Sequence, residues 1–263
     1  MEGARLLFRV FVLGAVSLLA SSSEDFGQRK GEFLQYQYEG NLGTSRIGMT
    51  VIREGNDIKG GHYFYQRFLK DIPITGSIIG SRITIAEAGG GAFHLHFVGN
   101  GSEADRPLDF ENSVGMEGTW SNVDGTRTYP VSLHGTVVRP GAGDERRYRE
   151  VTDESDERFE GRIRAFVQAV LSGDKRAAVR FISYPVRVNF PNDTSKNFRN
   201  SEAVLAAWTD LFNPALLMKL RRALPHDMFI RNGMVMLGTG EAWFDNKGLA
   251  ALNVPAASEA IAQ

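Results

Sequence analysis

Eight short runs of strand-forming residues follow one another between positions 31 and 138: FLQYQY, RIGMTVI, IKGGHYFY, IPITGSII, RITIAE, AFHLHFV, GMEGTW and YPVSLHGTVV. Many are rich in Ile, Val, Phe, Tyr and Thr, and helical spacing of apolar residues is nearly absent. The breaks between them carry Gly-Asn, Glu-Gly-Asn-Asp and Asp-Gly, which are turn chemistries. Short consecutive strands joined by tight turns favour an antiparallel meander, and eight are enough to curl into a barrel. Glycine beside a strand in Tyr38-Glu-Gly-Asn-Leu-Gly, Gly60-Gly-His-Tyr-Phe-Tyr and Glu117-Gly-Thr-Trp supplies the bends that a small closed sheet needs. The expected N-terminal domain, 31–138, is therefore an all-β, barrel-like antiparallel meander.

Residues 139–155, RPGAGDERRYREVTDES, are rich in proline, glycine and charge, and are expected to link two domains. The pattern then changes. Phe159, Ile163, Phe166, Val167, Val170 and Leu171 form an apolar stripe on a helix over about 156–172, with Gly173 as its stop. Asp174 can cap a short second helix, Asn200 a third, and Asn213-Pro214 can open a fourth. A strand is expected at Tyr184-Pro-Val-Arg-Val-Asn-Phe, with further strands from Met228 to Val254. Domain 156–254 is thus expected to be α+β, with helices on a curved antiparallel sheet, followed by a tail at 255–263.

Two segments, FVQAVLSGDKRAAVRFISYPVRVNF and GMVMLGTGEAWF, set this second half apart. The Ser-Gly-Asp between helices, the Tyr-Pro opening a strand and the Gly-Glu-Ala-Trp-Phe strand resemble the nuclear-transport-factor-two-like superfamily, which includes polyketide-cyclase-like enzymes. The resemblance implies a cone: a curved sheet wrapped by helices around an apolar cavity. Enzymatic members place Asp, His or paired polar groups in that cavity. Here His226, between Pro225 and Asp227, is the one histidine of the second half, and no matched acid and base pair is evident.

The first 23 residues, MEGARLLFRVFVLGAVSLLASSS, place Arg5 and Arg9 before an apolar stretch and small residues, the pattern of a cleavable secretory signal. The apolar stretch is too short for a membrane-spanning helix, so the mature chain is expected to be exported, periplasmic or secreted, without stable membrane insertion. The chain has no cysteine, so no disulfide contributes to its stability. A net charge of -1 and the absence of a long Lys/Arg run argue against nucleic acid as a partner. The sequons Asn100-Gly-Ser and Asn192-Asp-Thr matter only in a eukaryotic secretory pathway.

Glu241 stands two residues before Trp243, after a Gly-Thr-Gly turn. In a strand the two share a face, and a carboxylate at the rim of the cone could bind a cation, an amine or a sugar hydroxyl; otherwise it is a paired or solvated strand residue. Phe166, Tyr184, Trp208, Phe212, Met236 and Trp243 are candidates to line a ligand pocket, or else are plain core. His94 and His96 alternate along one strand face and are weak candidates for metal ligands, with His62 or His134 as a third; the same alternation suits a half-buried strand with its histidines outside. There is no phosphate-binding glycine loop, dinucleotide fingerprint, HExxH or GxSxG motif, and no cofactor is expected. The expected function is a non-enzymatic envelope binding module holding a small molecule or an envelope peptide in the cone. The alternatives are a hydrolase or isomerase using Glu241 as acid or base, and a structural or adhesion protein that forms a homodimer through the cone.

Overall fold

The computed structural model describes residues 33–55, 57–102, 106–143 and 146–256. The expected signal segment at 1–23 and positions 257–263 of the expected tail lie outside the described residues.

The eight expected runs are eight strands: β1 (Phe33–Leu42), β2 (Ser45–Glu54), β3 (Asp57–Tyr65), β4 (Ile72–Ile79), β5 (Arg82–Glu87), β6 (Ala92–Val98), β7 (Gly115–Ser121) and β8 (Thr128–Pro140). Each pairs antiparallel with the next, and β8 returns to β1, so the sheet closes. Alternation decides what fills it: Phe93, Leu95 and Phe97 point into the core, while His94 and His96 are exposed. Tyr36, Met49, Tyr63, Ile85, Met116 and Leu133 join them, filling the interior as expected for a barrel of this strand number.

Strand β2 departs from this pattern, because Ile47 through Arg53 are buried without a break. A barrel strand hides both faces only if something covers its outside. The second domain does so, as Thr50 and Gln37 bond to Asp227 and the Phe64 ring meets His226 edge-on at 4.4 Å. Within the barrel, β3 comes close to β2 at Gly61, whose φ is +139 and where a Cβ would lie 2.0 Å from the Thr50 carbonyl oxygen.

The second domain contains α1 (Asp156–Ser172), α2 (Lys175–Ala178), α3 (Ser201–Ala206), α4 (Trp208–Leu211) and α5 (Pro214–Arg222). Its strands are β9 (Ile182–Asn189), β10 (Ser195–Phe198), β11 (Phe229–Arg231), β12 (Met234–Leu237), β13 (Ala242–Phe244) and β14 (Leu249–Asn253), in the order β10-β9-β14-β13-β12-β11. The expected stripe on α1 is buried except for the half-buried Leu171, Ser155 caps the helix start, and Gly173 ends it in the left-handed conformation. Asp174, Asn200 and Asn213 cap α2, α3 and α5 through their side chains. The sheet is mixed where a purely antiparallel one was expected: β14 runs parallel to β9, because the chain crosses the helical layer before returning beside its first strand. Strand β10, a short hairpin partner of β9, was not foreseen.

Candidate functional site

The two domains meet on charged residues. Glu160 lies in α1, one turn before Ile163 and inside the apolar stripe, and is only 3% exposed. Its Oε1 accepts from the Tyr148 hydroxyl at 2.7 Å, and Tyr148 itself is fully buried. The same hydroxyl accepts from the Met228 backbone N–H at 3.0 Å. The other oxygen of Glu160 lies 2.6 Å from Nδ1 of His226, whose Nε2 lies 2.9 Å from Asp71 in the loop between β3 and β4. His226 thus bridges a helix of one domain and a loop of the other.

Asp227, the next residue, has a positive φ of 49, which a short polar side chain tolerates. Its carboxylate accepts from Thr50 at 2.6 Å and Arg139 at 3.2 Å, and stands 3.4 Å from both Arg147 and His62. Arg147 also reaches Asp71 at 2.7 Å and Glu160 at 3.4 Å. Three carboxylates from both domains therefore meet Arg139, Arg147 and the His226 ring, and buried charges persist when matched and hydrogen-bonded in this way.

The electrostatics follow from that matching. Burial alone would lower the His226 pKa, but the bonds to Asp71 and Glu160 outweigh it and raise it to about 9, so the ring is an imidazolium at neutral pH. Burial would raise Asp227, yet His62, Arg147 and Arg139 hold its carboxyl well below the usual range. Asp71 is held low in the same way, by His226, His62 and Arg147 against its own burial. Burial and the neighbouring Glu160 push the Tyr148 hydroxyl well above its ordinary value. With a carboxylate on each ring nitrogen, His226 has no free nitrogen to offer a substrate, so the arrangement clasps two domains and does not form an acid–base pair.

Beside the clasp is a cleft of about 380 Å³ bounded by both domains. Thr50 and Ile52 lie buried within it, Phe229 and Ile230 come from β11, and Arg139 comes from β8. Arg146, Arg149 and Glu150 line it from the exposed side. All three fall in the stretch expected as the interdomain linker, whose Arg147 reaches Asp71 of the barrel and Glu160 of the second domain.

Glu241 is buried, at 6% exposure, but precedes β13 and does not join it. It accepts from the Thr239 N–H at 2.7 Å and the Thr239 hydroxyl at 2.8 Å, and lies 3.5 Å from Lys219 of α5. Its carboxylate closes the Gly238-Thr239-Gly240 turn. Phe166, Trp208 and Phe212 sit in the helix-side core, with ring centroids 6.3 Å apart for Phe166 and Phe212 and 4.2 Å for Trp208 and Phe212. Tyr184 is half-buried against that core and donates to the Val179 carbonyl. Met236 and Trp243 are register partners in a row with Phe229 and Ala251, none of which belongs to the core, so this row lies on the sheet face away from the helices. The structure does not bring Glu241, the aromatic set and Trp243 together around one space. His94 and His96 are exposed on the outer wall of β6, opposite Thr119 and Glu117 of β7.

Compared with protein families, curated proteins and solved structures, the chain matches none. The reading of its site therefore rests on its own geometry. Of the residues that form the clasp, the sequence singles out only His226 and, as a possible third metal ligand, His62. Two signals could have found part of the rest: an acid, Glu160, inside an apolar helical stripe, and the mostly apolar IGMTVI run of β2, which suits a strand covered on both faces.

Proposed function

We propose that the protein is an exported, non-catalytic binding protein whose small ligand lies in the cleft between the barrel and the α+β domain. The cleft carries this reading: its volume is in the range of small-molecule sites, and both domains contribute walls that the ion-paired clasp holds in place. The interior of the second domain is a poorer location, because Phe166, Trp208, Phe212 and Phe244 fill it with their own rings. The absence of a free nitrogen on His226 supports binding over catalysis. Export rests on the Arg-containing apolar segment at 1–23. The second domain reads as a nuclear-transport-factor-two-like cone, supported by its segments around Ser172-Gly-Asp and Gly240-Glu-Ala-Trp-Phe and by its helices packed on a bent sheet.

The test is native mass spectrometry of residues 24–263 purified gently from a bacterial periplasm. The expected result is an added mass that leaves on denaturation and is missing from a Glu150→Trp variant, which fills the cleft from its exposed side. A bare protein mass in the wild type, or an added mass untouched by Glu150→Trp, counts against the cleft.

A further inference from the structure

We infer that the open end of the barrel binds an organic cation through its guanidinium head group, at a place separate from the interdomain cleft. The two ends of the barrel differ. At one, Leu108 and Phe110 from the segment between β6 and β7 fold over the interior, and Phe110 is only 6% exposed. The other end, where β1, β3, β5 and β7 finish, has no such cover among the described residues. Phe93, Trp120 and Tyr129 are register partners across β6, β7 and β8, and Phe93 is fully buried in the barrel core, so all three rings point inward. Tyr129 is nevertheless 43% exposed and Trp120 half-buried, which for inward-facing rings requires an open mouth.

Glu87 ends β5 on the same inner face, two residues after the fully buried Ile85. It is half-buried and accepts from the Tyr63 hydroxyl, and among the described residues no cation pairs with it. Gly91 lets Glu87 and Trp120 come together, since a Cβ there would lie 2.6 Å from Glu87 Oε1 and 2.6 Å from the Trp120 ring. Two more rings adjoin them: Tyr129, stacked on Trp120 at 6.0 Å, and Tyr65, edge-on to Tyr63 at 5.7 Å. The loops around this end carry Arg67, Lys70 and Arg127 as well as Asp124, all exposed to solvent that screens them. Arg67 lies over the Phe68 ring at 4.2 Å, so Phe68 is already covered.

The closed end shows what such a set of groups holds. There Arg53 lies 5.2 Å and 5.4 Å from the ring centroids of Tyr36 and Phe110 and pairs with Glu111 at 2.9 Å. Two rings and a carboxylate hold a guanidinium that belongs to the chain. The open end has the rings and the carboxylate but no cation among them. Ring faces are negative, so beside a carboxylate they favour a positive head group over a neutral or anionic one, and a planar guanidinium can stack on a ring while its fork meets the carboxylate.

The experiment is NMR titration of residues 24–263 with butylguanidinium, its neutral isostere butylurea, and pentanoate, read at the Trp120 indole N–H resonance, which is assigned by its loss in Trp120→Phe. Butylguanidinium is expected to bind, butylurea to be weaker by roughly tenfold or more, and pentanoate to be undetectable. Glu87→Gln is expected to weaken butylguanidinium by roughly tenfold to a hundredfold, and Tyr129→Ala, on the exposed rim, by roughly threefold to thirtyfold. Glu150→Trp, which fills the cleft, is expected to leave this titration unchanged, so the two sites fail separately. Denaturant unfolding confirms that each variant is folded, and Tyr129→Ala decides alone if Glu87→Gln does not fold. The inference is overturned if butylurea binds as tightly as butylguanidinium, if both mouth variants bind like the wild type, or if no probe binds. A capped Gly-Arg-Gly peptide distinguishes the source of the cation: binding tighter than butylguanidinium assigns the site to a peptide side chain, weaker binding to a free small molecule, and either upholds the site.

Discussion

Asp71 and His226 are 155 residues apart in the chain and 2.9 Å apart in space. One belongs to a loop of the barrel, the other to the loop before β11, and the contact exists only when both domains are folded and docked. Because Glu160 holds the other ring nitrogen, the imidazolium bears on the docking of the domains and on the packing of α1 together.

Removing the imidazolium leaves the buried Glu160 and the half-buried Asp71 without their shared cation. His226→Ala is expected to cost roughly 3–5 kcal/mol in denaturant unfolding. A double-mutant cycle with Asp71→Asn should give a coupling of about 1–3 kcal/mol. Additive losses would mean that the pair does not hold the domains together.

Stability should fall on the alkaline side. The folded pKa of His226, about 9, lies above its ordinary 6.5, so the contribution is complete below about pH 6.5 and is lost as pH rises through 9. The difference corresponds to roughly 3 kcal/mol. The groups facing the ring are Asp71 from the barrel, Glu160 from α1, Arg147 from the segment before α1, and the uncharged Phe64 ring. On the acid side Asp71 and Asp227 sit below their ordinary 3.8, so their contribution is present above that pH and is lost as pH falls through the folded values. Urea unfolding from pH 3 to pH 10 should show a plateau between about 4 and 6.5, and the alkaline slope should flatten in His226→Gln.

Tyr148→Phe deletes one oxygen at the centre of the clasp. The Met228 N–H loses its acceptor and Glu160 loses a donor, both where water does not reach. The expected loss is about 1–3 kcal/mol, read from thermal unfolding. A change near zero would mean that water or a neighbouring group takes over both bonds.

Glu241→Gln tests the turn before β13. Gln can still accept from one Thr239 donor, but its amide N–H₂ then faces the other. A loss of about 1–2 kcal/mol is expected in chemical denaturation, with the ligand mass unchanged in native mass spectrometry. A lost ligand with unchanged stability would instead move the binding site to this carboxylate.

The barrel was legible because its signal is local. Strands such as β6, with Phe93, Leu95 and Phe97 inside and His94 and His96 outside, repeat every two residues, and the turns between strands require Gly, Asn or Asp. Helix stops and caps were equally visible at Gly173, Asp174, Asn200 and Asn213. The parallel pairing of β9 with β14 was not, since strand neighbours distant in sequence leave no mark on either strand.

By itself the sequence determined where most strands and helices form, β10 excepted, and which side chains are apolar enough to be buried, because these depend on neighbours within a few residues. Only the tertiary structure decided what the charged residues do. Arg147 and Tyr148 lie in a stretch with the composition of a solvated linker, and Asp71 and Asp227 carry no local mark of burial. They become one cluster because docking the domains takes much of their water away and brings cations from other parts of the chain within about 3 Å of the acids.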